Sequence, residues 1–242
     1  MNSSIAIQFE AARPELLAYL CRLVVRPQIA EDLVQTTFLR CFEALDRMPG
    51  SETGNRAWFF KVATNLAFDE LKRHSTWREN MLDDIRIAAE ADAVLVANSM
   101  ELAGTPETKA IAKEHLVACM ACTLRNLPEQ KAATLLLKEI HEFSNEEIAE
   151  ILGASFVQVK NWLQEARTYM NHRYGVTCAL ITKRGVCDQC VELAGFFSSP
   201  DRSPLEAGNL SLDARLDVAR QMREKSWGPW HRMIFRLIDD MK

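Results

Sequence analysis

Apolar residues recur at intervals of three and four through most of this chain, the spacing of helices that bury one face. The first stretch predicts a helix over Arg13 to Val25, with Pro14 at an early position and Leu16, Leu17, Leu20, Leu23 and Val24 inward. The second predicts a helix from Ala30 to Met48, its inner stripe being Leu33, Val34, Phe38, Cys41, Phe42, Leu45 and Met48. That stripe leaves Asp32, Gln35, Thr36, Leu39, Arg40 and Glu43 outward, and Met48-Pro49-Gly50 ends the run. A third helix begins near Asn55, a plausible N-cap, and turns Phe59, Val62, Ala63, Leu66, Ala67 and Leu71 inward. Its outward set is Lys61, Asn65, Phe68, Asp69, Lys72 and Arg73, with Trp58 and Phe60 near the start.

Further on, the pattern predicts a helix near Lys109 to Arg125 and, after Leu127-Pro128, another with Ala133, Leu136, Leu137 and Ile140 inward. Ser144 to Glu147 then reads as a capping box, Ile148, Ala149, Ile151 and Leu152 form a short stripe, Gly153 supplies a turn, and Ser155 to Gln158 is a second box. Two short helices about a glycine turn are a helix-turn-helix, whose second helix enters the major groove. With Val159, Leu163 and Ala166 inward, Phe156, Gln158, Lys160, Asn161, Gln164 and Arg167 are left to meet DNA. The amides of Gln158 and Asn161 suit adenine, and Lys160 and Arg167 suit phosphate or guanine. After a polar Pro/Gly stretch, helical patterning returns from Leu210 to Lys225, with Leu212, Leu216 and Ala219 on one face, and again from Trp230 to Met241.

Runs of strand-like alternation are missing, so the predicted class is all-α: two small helical domains, an acidic linker and a cysteine-containing helical tail. The expected boundaries are 1–78, 79–110, 111–175 and 176–242. No apolar run reaches membrane-spanning length, and Met1 to Glu10 lacks the basic flank and apolar core of a signal peptide, so the expected location is the cytoplasm, with no membrane partner. The net charge of −4 comes mostly from the linker, where Asp83, Asp84, Glu90, Asp92, Glu101 and Glu107 gather. No segment is strongly basic. A freestanding DNA binder carries a basic face, so this chain is expected to borrow affinity from a partner that also holds DNA.

On the third helix, exposed aromatic rings beside Lys and Arg suit single-stranded nucleic acid, since bases stack on rings while cations meet phosphate. Asn65 and Asp69, one turn apart, suit the edge of an extruded base. The competing reading makes those aromatics core. Seven cysteines without a secretion signal point to thiol or metal chemistry. Cys119 and Cys122 form one Cys-x-x-Cys pair and Cys187 and Cys190 another, with Cys178 as an alternative ligand; two such pairs can close a tetrahedral zinc site. A reversible dithiol switch is the alternative. Cys21 and Cys41 read as core. His115, four residues before Cys119, can replace one thiolate, or serve as an ordinary surface or partly buried histidine. His74, His141, His172 and His231 show no pairing that suggests catalysis.

The run AEDLVQTTFLR followed by RAWFFKVATNLAFDELKR resembles the first conserved domain of extracytoplasmic-function sigma factors, initiation subunits of RNA polymerase. The resemblance implies that Asp32, Gln35, Phe38 and Leu39 dock on core RNA polymerase. It also places Trp58, Lys61, Asn65, Asp69, Lys72 and Arg73 on the surface that melts and reads the minus-ten element. LPEQKAATLLLKEIHEFSNEEIAEILGASFVQVKNWLQEAR is similar to the family domain that reads the minus-thirty-five element, but Trp162 stands where the family usually has arginine. The resemblance implies promoter DNA and core polymerase as partners, an anti-sigma factor as a further one, no required cofactor and no catalysis; a structural or regulatory zinc is expected from the cysteine spacing alone. A freestanding helix-turn-helix regulator and a thiol or metal enzyme are the alternatives. The latter lacks a thioredoxin-like strand pattern. The tail is expected to fold back and control access to polymerase or DNA.

Overall fold

The computed structural model describes residues 2–73, 91, 93–94, 106–177, 211–228, 231–232 and 235, and the described elements are all helical. Helix α1 (Asn2–Val24) is longer than its periodicity suggested and carries Pro14 internally. Its second half is apolar nearly all round: Leu16, Ala18, Tyr19, Leu20, Cys21, Leu23 and Val24 are all buried, as a helix enclosed on several sides must be. Helix α2 (Pro27–Glu43) starts on a proline at its N-terminus and gives way to a short 3-10 turn, Leu45–Arg47, before Pro49. Helix α3 (Glu52–Arg73) begins before Asn55, which is not its N-cap. Asn55 is buried; its Oδ1 accepts the Gly50 N–H at 3.0 Å and its Nδ2 donates to Gln8 Oε1 at 2.8 Å. Helices α1, α2 and α3 pack as one bundle around Phe9, Phe59, Ala63 and Ala67.

The second group is α4 (Pro106–Leu124), α5 (Glu129–Glu139), α6 (Asn145–Leu152) and α7 (Phe156–Thr177). The α6 capping box forms as predicted: Glu147 N–H donates to Ser144 Oγ at 3.1 Å and Ser144 N–H to Glu147 Oε2 at 2.7 Å. Gly153 ends α6 in the left-handed region at φ +62, and Ser155 with Gln158 repeats the box at the start of α7. The second helix of the helix-turn-helix is not short, since α7 runs on to Thr177. Of the acidic linker expected over 79–110, Ala91, Ala93 and Val94 are described as helical and exposed, and residues 106–110 already belong to α4.

The two groups do not stand apart. Helix α1 packs on α4 and α5, and α3 packs on α6. The residues joining α5 to α6 form the plug of this junction. Glu142 adopts φ +58, an unfavourable left-handed conformation for a residue with a Cβ, and that twist turns His141 and Phe143 into the protein together while Glu142 stays outside. The Phe143 ring meets Phe60 of α3 at 4.9 Å, and the His141 ring meets Tyr19 of α1 at 5.4 Å.

Helix α8 (Leu212–Gln221), in the tail, lies across α4 and α7, burying Leu212, Leu216 and Ala219, the face its spacing predicted. Beyond it Trp227, His231 and Phe235 are buried as well. None of the helices is long and apolar enough to cross a membrane among the described residues.

Candidate nucleic-acid and polymerase interface

The outer face of α2 presents Asp32, Gln35 and Leu39 to solvent, Leu39 with 59% of its surface exposed, unusual for a leucine that no contact requires there. Phe38 departs from that set. Its ring sits 5.0 Å from Phe9 and 4.7 Å from Phe42, half-buried, so it supports the face from beneath.

On α3, Asn65, Asp69, Lys72 and Arg73 are exposed along one side. Trp58 and Lys61, one turn nearer the N-terminus, are only half-exposed, with the Lys61 ammonium 5.8 Å from the indole ring centre. They line a groove of roughly 590 Å³ whose opposite wall is Ala149, Glu150, Ile151, Gly153 and Ala154 of the helix-turn-helix. Phe60 is a correction: expected outside, it is fully buried against His141 and Phe143. Packing between the two helical groups, which local periodicity does not encode, takes it inward.

On α7, Phe156, Gln158, Lys160, Asn161 and Gln164 are exposed. Lys160 Nζ lies 5.7 Å from the Phe156 ring centre. The Gln158 side-chain oxygen is occupied by the Ser155 N–H and hydroxyl at 2.9 Å, leaving its amide nitrogen to face outward chemistry. Arg167 is also a correction. It is half-buried and committed, donating to Glu139 Oε1 at 2.5 Å and Asp213 Oδ1 at 2.6 Å, and so ties α7 to α5 and the tail. Asn161 and Gln164 line a second groove of roughly 540 Å³ together with Glu165, Thr168, Tyr169 and His172, four residues the pattern had not singled out.

The electrostatic centre lies under these faces. Arg56 of α3 donates from Nε and Nη2 to both oxygens of Glu15 at 3.0 and 2.6 Å, and from Nη2 to the His141 carbonyl at 2.8 Å. Its guanidinium lies 4.0 Å from the Phe143 ring centre. His141 Nδ1 meets Glu15 Oε1 at 3.0 Å. Burial by itself raises the Glu15 carboxyl, but the hydrogen bonds from His141 and Arg56 outweigh it and hold the group down at about 2. Burial pushes His141 down to about 4 against the pull of Glu15, so at neutral pH an uncharged imidazole donates to a carboxylate.

Cys119 and Cys122 lie on α4, half-buried and buried, as thiols rather than a disulfide. Cys178, Cys187 and Cys190 lie outside the described residues, and so does the proposed pairing of the two Cys-x-x-Cys motifs. Among the described residues no three His, Cys, Asp or Glu side chains already converge on a metal position. Cys21 and Cys41 are buried, as expected of core residues, and burial pushes both thiols up to about 12. His141 is the functional-looking residue that the sequence concealed.

The Sigma-70 region 2 family model matches residues 8–76 and the Sigma-70 region 4 model matches residues 118–170, so α1 to α3 fall in one and α5, α6 and most of α7 in the other. The chain belongs to the sigma-70 family. ECF RNA polymerase sigma factor SigG of Mycobacterium tuberculosis is 28% identical over 173 residues, covering 66% of this chain and 46% of that protein. The ECF RNA polymerase sigma-E factor of Haemophilus influenzae is 28% identical over 154 residues, covering 64% of this chain and 78% of that protein. This chain is therefore an ECF-group member, and its alignment spans less than half the length of the mycobacterial relative. A solved structure of sigma factor RpoE in complex with anti-sigma factor NepR from Bartonella quintana overlays with a TM-score of 0.47 at 18% identity, covering 72% of this chain and 96% of that one.

Proposed function

We propose that this ECF sigma-family chain binds core RNA polymerase, directs it to promoters and helps open DNA there, and that its tail holds it in a closed form between rounds. The α2 face of Asp32, Gln35 and Leu39 serves as the docking surface. Asn65, Asp69, Lys72 and Arg73 of α3, with Trp58 and Lys61, take the opened minus-ten strand. Phe156, Lys160, Asn161 and Gln164 of α7 read upstream duplex. The chain makes and breaks no bond, needs no cofactor for this work, and acts where the polymerase is. An anti-sigma partner would compete for the same faces.

One observation carries the closed form: α3 and α6 are in direct contact, with Trp58 and Lys61 walled in by residues of the helix-turn-helix. The minus-ten and minus-thirty-five elements are about 25 base pairs apart, roughly 85 Å at 3.4 Å per pair. A compact unit of 242 residues has a radius of gyration of only about 18 Å. The same packed body does not reach both elements, so α3 and α6 separate before both are engaged.

Run-off transcription with core polymerase tests both parts of the reading. The full chain gives promoter-dependent transcript, and a chain ending at Ser199 gives more of it. No transcript from either removes the sigma reading; equal transcript from both removes the tail's inhibitory role while leaving the first intact.

A further inference from the structure

The first turn of α7 carries two adjacent apolar side chains that the protein leaves in solvent: Phe156 is 43% exposed and Val157 63%. Apolar residues scattered singly over a surface are ordinary. This pair instead opens the second helix of the helix-turn-helix, the end whose outward residues meet base edges. At 3.6 residues per turn, Val157 points about 160° away from Val159 and about 180° away from Ala166, two side chains that α7 buries completely. Val157 therefore occupies the middle of the outward face. Asn161, also exposed, follows one turn further along the same line.

The neighbouring polar groups narrow what this face can read. Gln158 gives its side-chain oxygen to the Ser155 N–H and hydroxyl, both at 2.9 Å, so it does not offer adenine the paired acceptor and donor that adenine takes. Asn161 is left for that contact. Lys160, with its ammonium 5.7 Å from the Phe156 ring centre, sets a cation for phosphate beside the apolar pair. In the major groove an apolar side chain has one apolar group to meet, the C5-methyl of thymine, since the other base edges there present donors and acceptors. Valine is also suited to the task. It is β-branched and held to one rotamer in a helix, so its methyls are placed before DNA arrives and lose little freedom on contact.

We propose that Val157, walled on one side by the Phe156 ring, reads the methyl group of a thymine in the upstream element, close to the adenine taken by Asn161. The rise between residues four apart on a helix is about 6 Å, so the two contacts fall one to two base pairs from each other at about 3.4 Å per pair. The inference rests on the reading of α7 as the helix that meets upstream duplex, and adds which base is chosen and by which side chain.

The test uses holoenzyme assembled from the full chain and core polymerase. Selection from DNA randomised over both promoter elements gives the preferred upstream sequence. Each thymine in it is then replaced singly by deoxyuridine, which removes the methyl and nothing else. Binding followed by fluorescence anisotropy is expected to weaken about three- to fourfold at the position read by Val157, the worth of one buried methyl. Val157→Ala binds thymine and deoxyuridine equally there, and Phe156→Ala narrows the ratio in the same direction. Both side chains are exposed, so neither change opens the core; circular dichroism and a polymerase pull-down check fold and docking in each variant. A preferred sequence without thymine, or one whose thymines are all indifferent to deoxyuridine, overturns the methyl contact and leaves the sigma function standing. A ratio that Val157→Ala leaves unchanged overturns it too. If Val157→Ala loses polymerase in the pull-down, the pair faces polymerase and not thymine. A holoenzyme that selects no upstream sequence removes the reading of α7 and this inference together.

Discussion

Arg22 Nη2 donates to the carbonyl of Met222 at 2.6 Å across 200 residues of chain, and the same guanidinium reaches the carbonyls of Lys225 at 3.2 Å and Arg223 at 3.5 Å. Arg22 is nearly completely buried in α1, and burial pushes its guanidinium down only to about 10, so the cation persists at neutral pH. It sits where α8 ends, the terminus whose unpaired carbonyls and dipole favour a cation. This one side chain locks the tail onto the first helical bundle. Arg22→Met keeps the length but takes this donor from all three carbonyls, of which Met222's retains the Lys225 N–H at 2.9 Å, a loss of about 2–3 kcal/mol for charge-assisted bonds. Hydrogen exchange of the amides in Leu212–Gln221 accelerates about 30- to 150-fold as a result; unchanged exchange removes Arg22 from this role.

The Glu15–His141 pair makes the closure pH-sensitive. Both groups titrate below their ordinary values: Glu15 from 4.5 to about 2 and His141 from 6.5 to about 4. For each, the unfolded or opened chain binds the proton more readily than the packed one, so stability rises with pH wherever either titrates. His141 adds its contribution as pH climbs from about 4 to 6.5, and Glu15 as it climbs from about 2 to 4.5; both are fully present at neutral pH. Unfolding midpoints of the parent fall between pH 6.5 and 4, by an amount on the order of 2–3 kcal/mol from His141. His141→Phe, which keeps the ring contact with Tyr19 and Phe60, flattens that part of the profile. An identical slope in both proteins assigns the pH dependence to other groups.

Asn65 and Asp69 project from α3 into solvent, so their alanine substitutions leave the core untouched. Asn65→Ala with Asp69→Ala is expected to retain polymerase binding and the parent melting temperature while open-complex formation drops roughly tenfold or more, the equivalent of one or two lost base contacts. Permanganate footprinting beside a polymerase pull-down checks it. Loss of polymerase binding in this variant moves the docking surface onto α3.

Gly153 isolates a purely conformational effect. It holds φ +62 between α6 and α7, and a Cβ there meets nothing within 4 Å. Any penalty in Gly153→Ala is therefore backbone strain, about 1 kcal/mol, and Gly153→Asn is milder because asparagine tolerates the left-handed region. Thermal melts of the three proteins order as Gly, Asn, Ala. An alanine variant as stable as the parent means the turn relaxes to another geometry.

Ala133, Leu136, Leu137 and Ile140 were legible in the sequence because a single amphipathic stripe decides which side of α5 is inside, and the Ser144 box because its partners are three residues apart. Phe60 and His141 were not. Their contacts join α3 to a loop some eighty residues later, and periodicity reports one buried face per helix. The signal was present in another form: from Leu16 to Val24, α1 is apolar almost all round, more than a three-helix bundle needs to cover. Asn55 misled for a local reason, since Glu52, Thr53 and Gly54 carry no apolar stripe to announce a helix. Arg167 was read as open to DNA, and its half-buried pairing with Glu139 and Asp213 was hidden because Asp213 comes from the tail.

Those partners make the last test. Glu139 accepts from Arg167 at 2.5 Å and, through its other oxygen, from Arg220 of α8 at 3.1 Å, while its backbone carbonyl takes Arg220 Nε at 2.6 Å. One carboxylate thus holds an arginine of the recognition helix and an arginine of the tail together. Each pair is partly exposed and contributes about 0.2–1 kcal/mol, so removing the carboxylate loosens the junction without unfolding the core. Glu139→Ala is expected to speed proteolysis of the tail several-fold and, by releasing Arg167 toward phosphate, to strengthen binding to duplex DNA at low salt, with a steeper salt dependence than the parent. Arg167→Ala added to Glu139→Ala cancels the gain in DNA binding but not the exposure of the tail. If Glu139→Ala weakens DNA binding instead, the carboxylate positions Arg167 for DNA and does not withhold it.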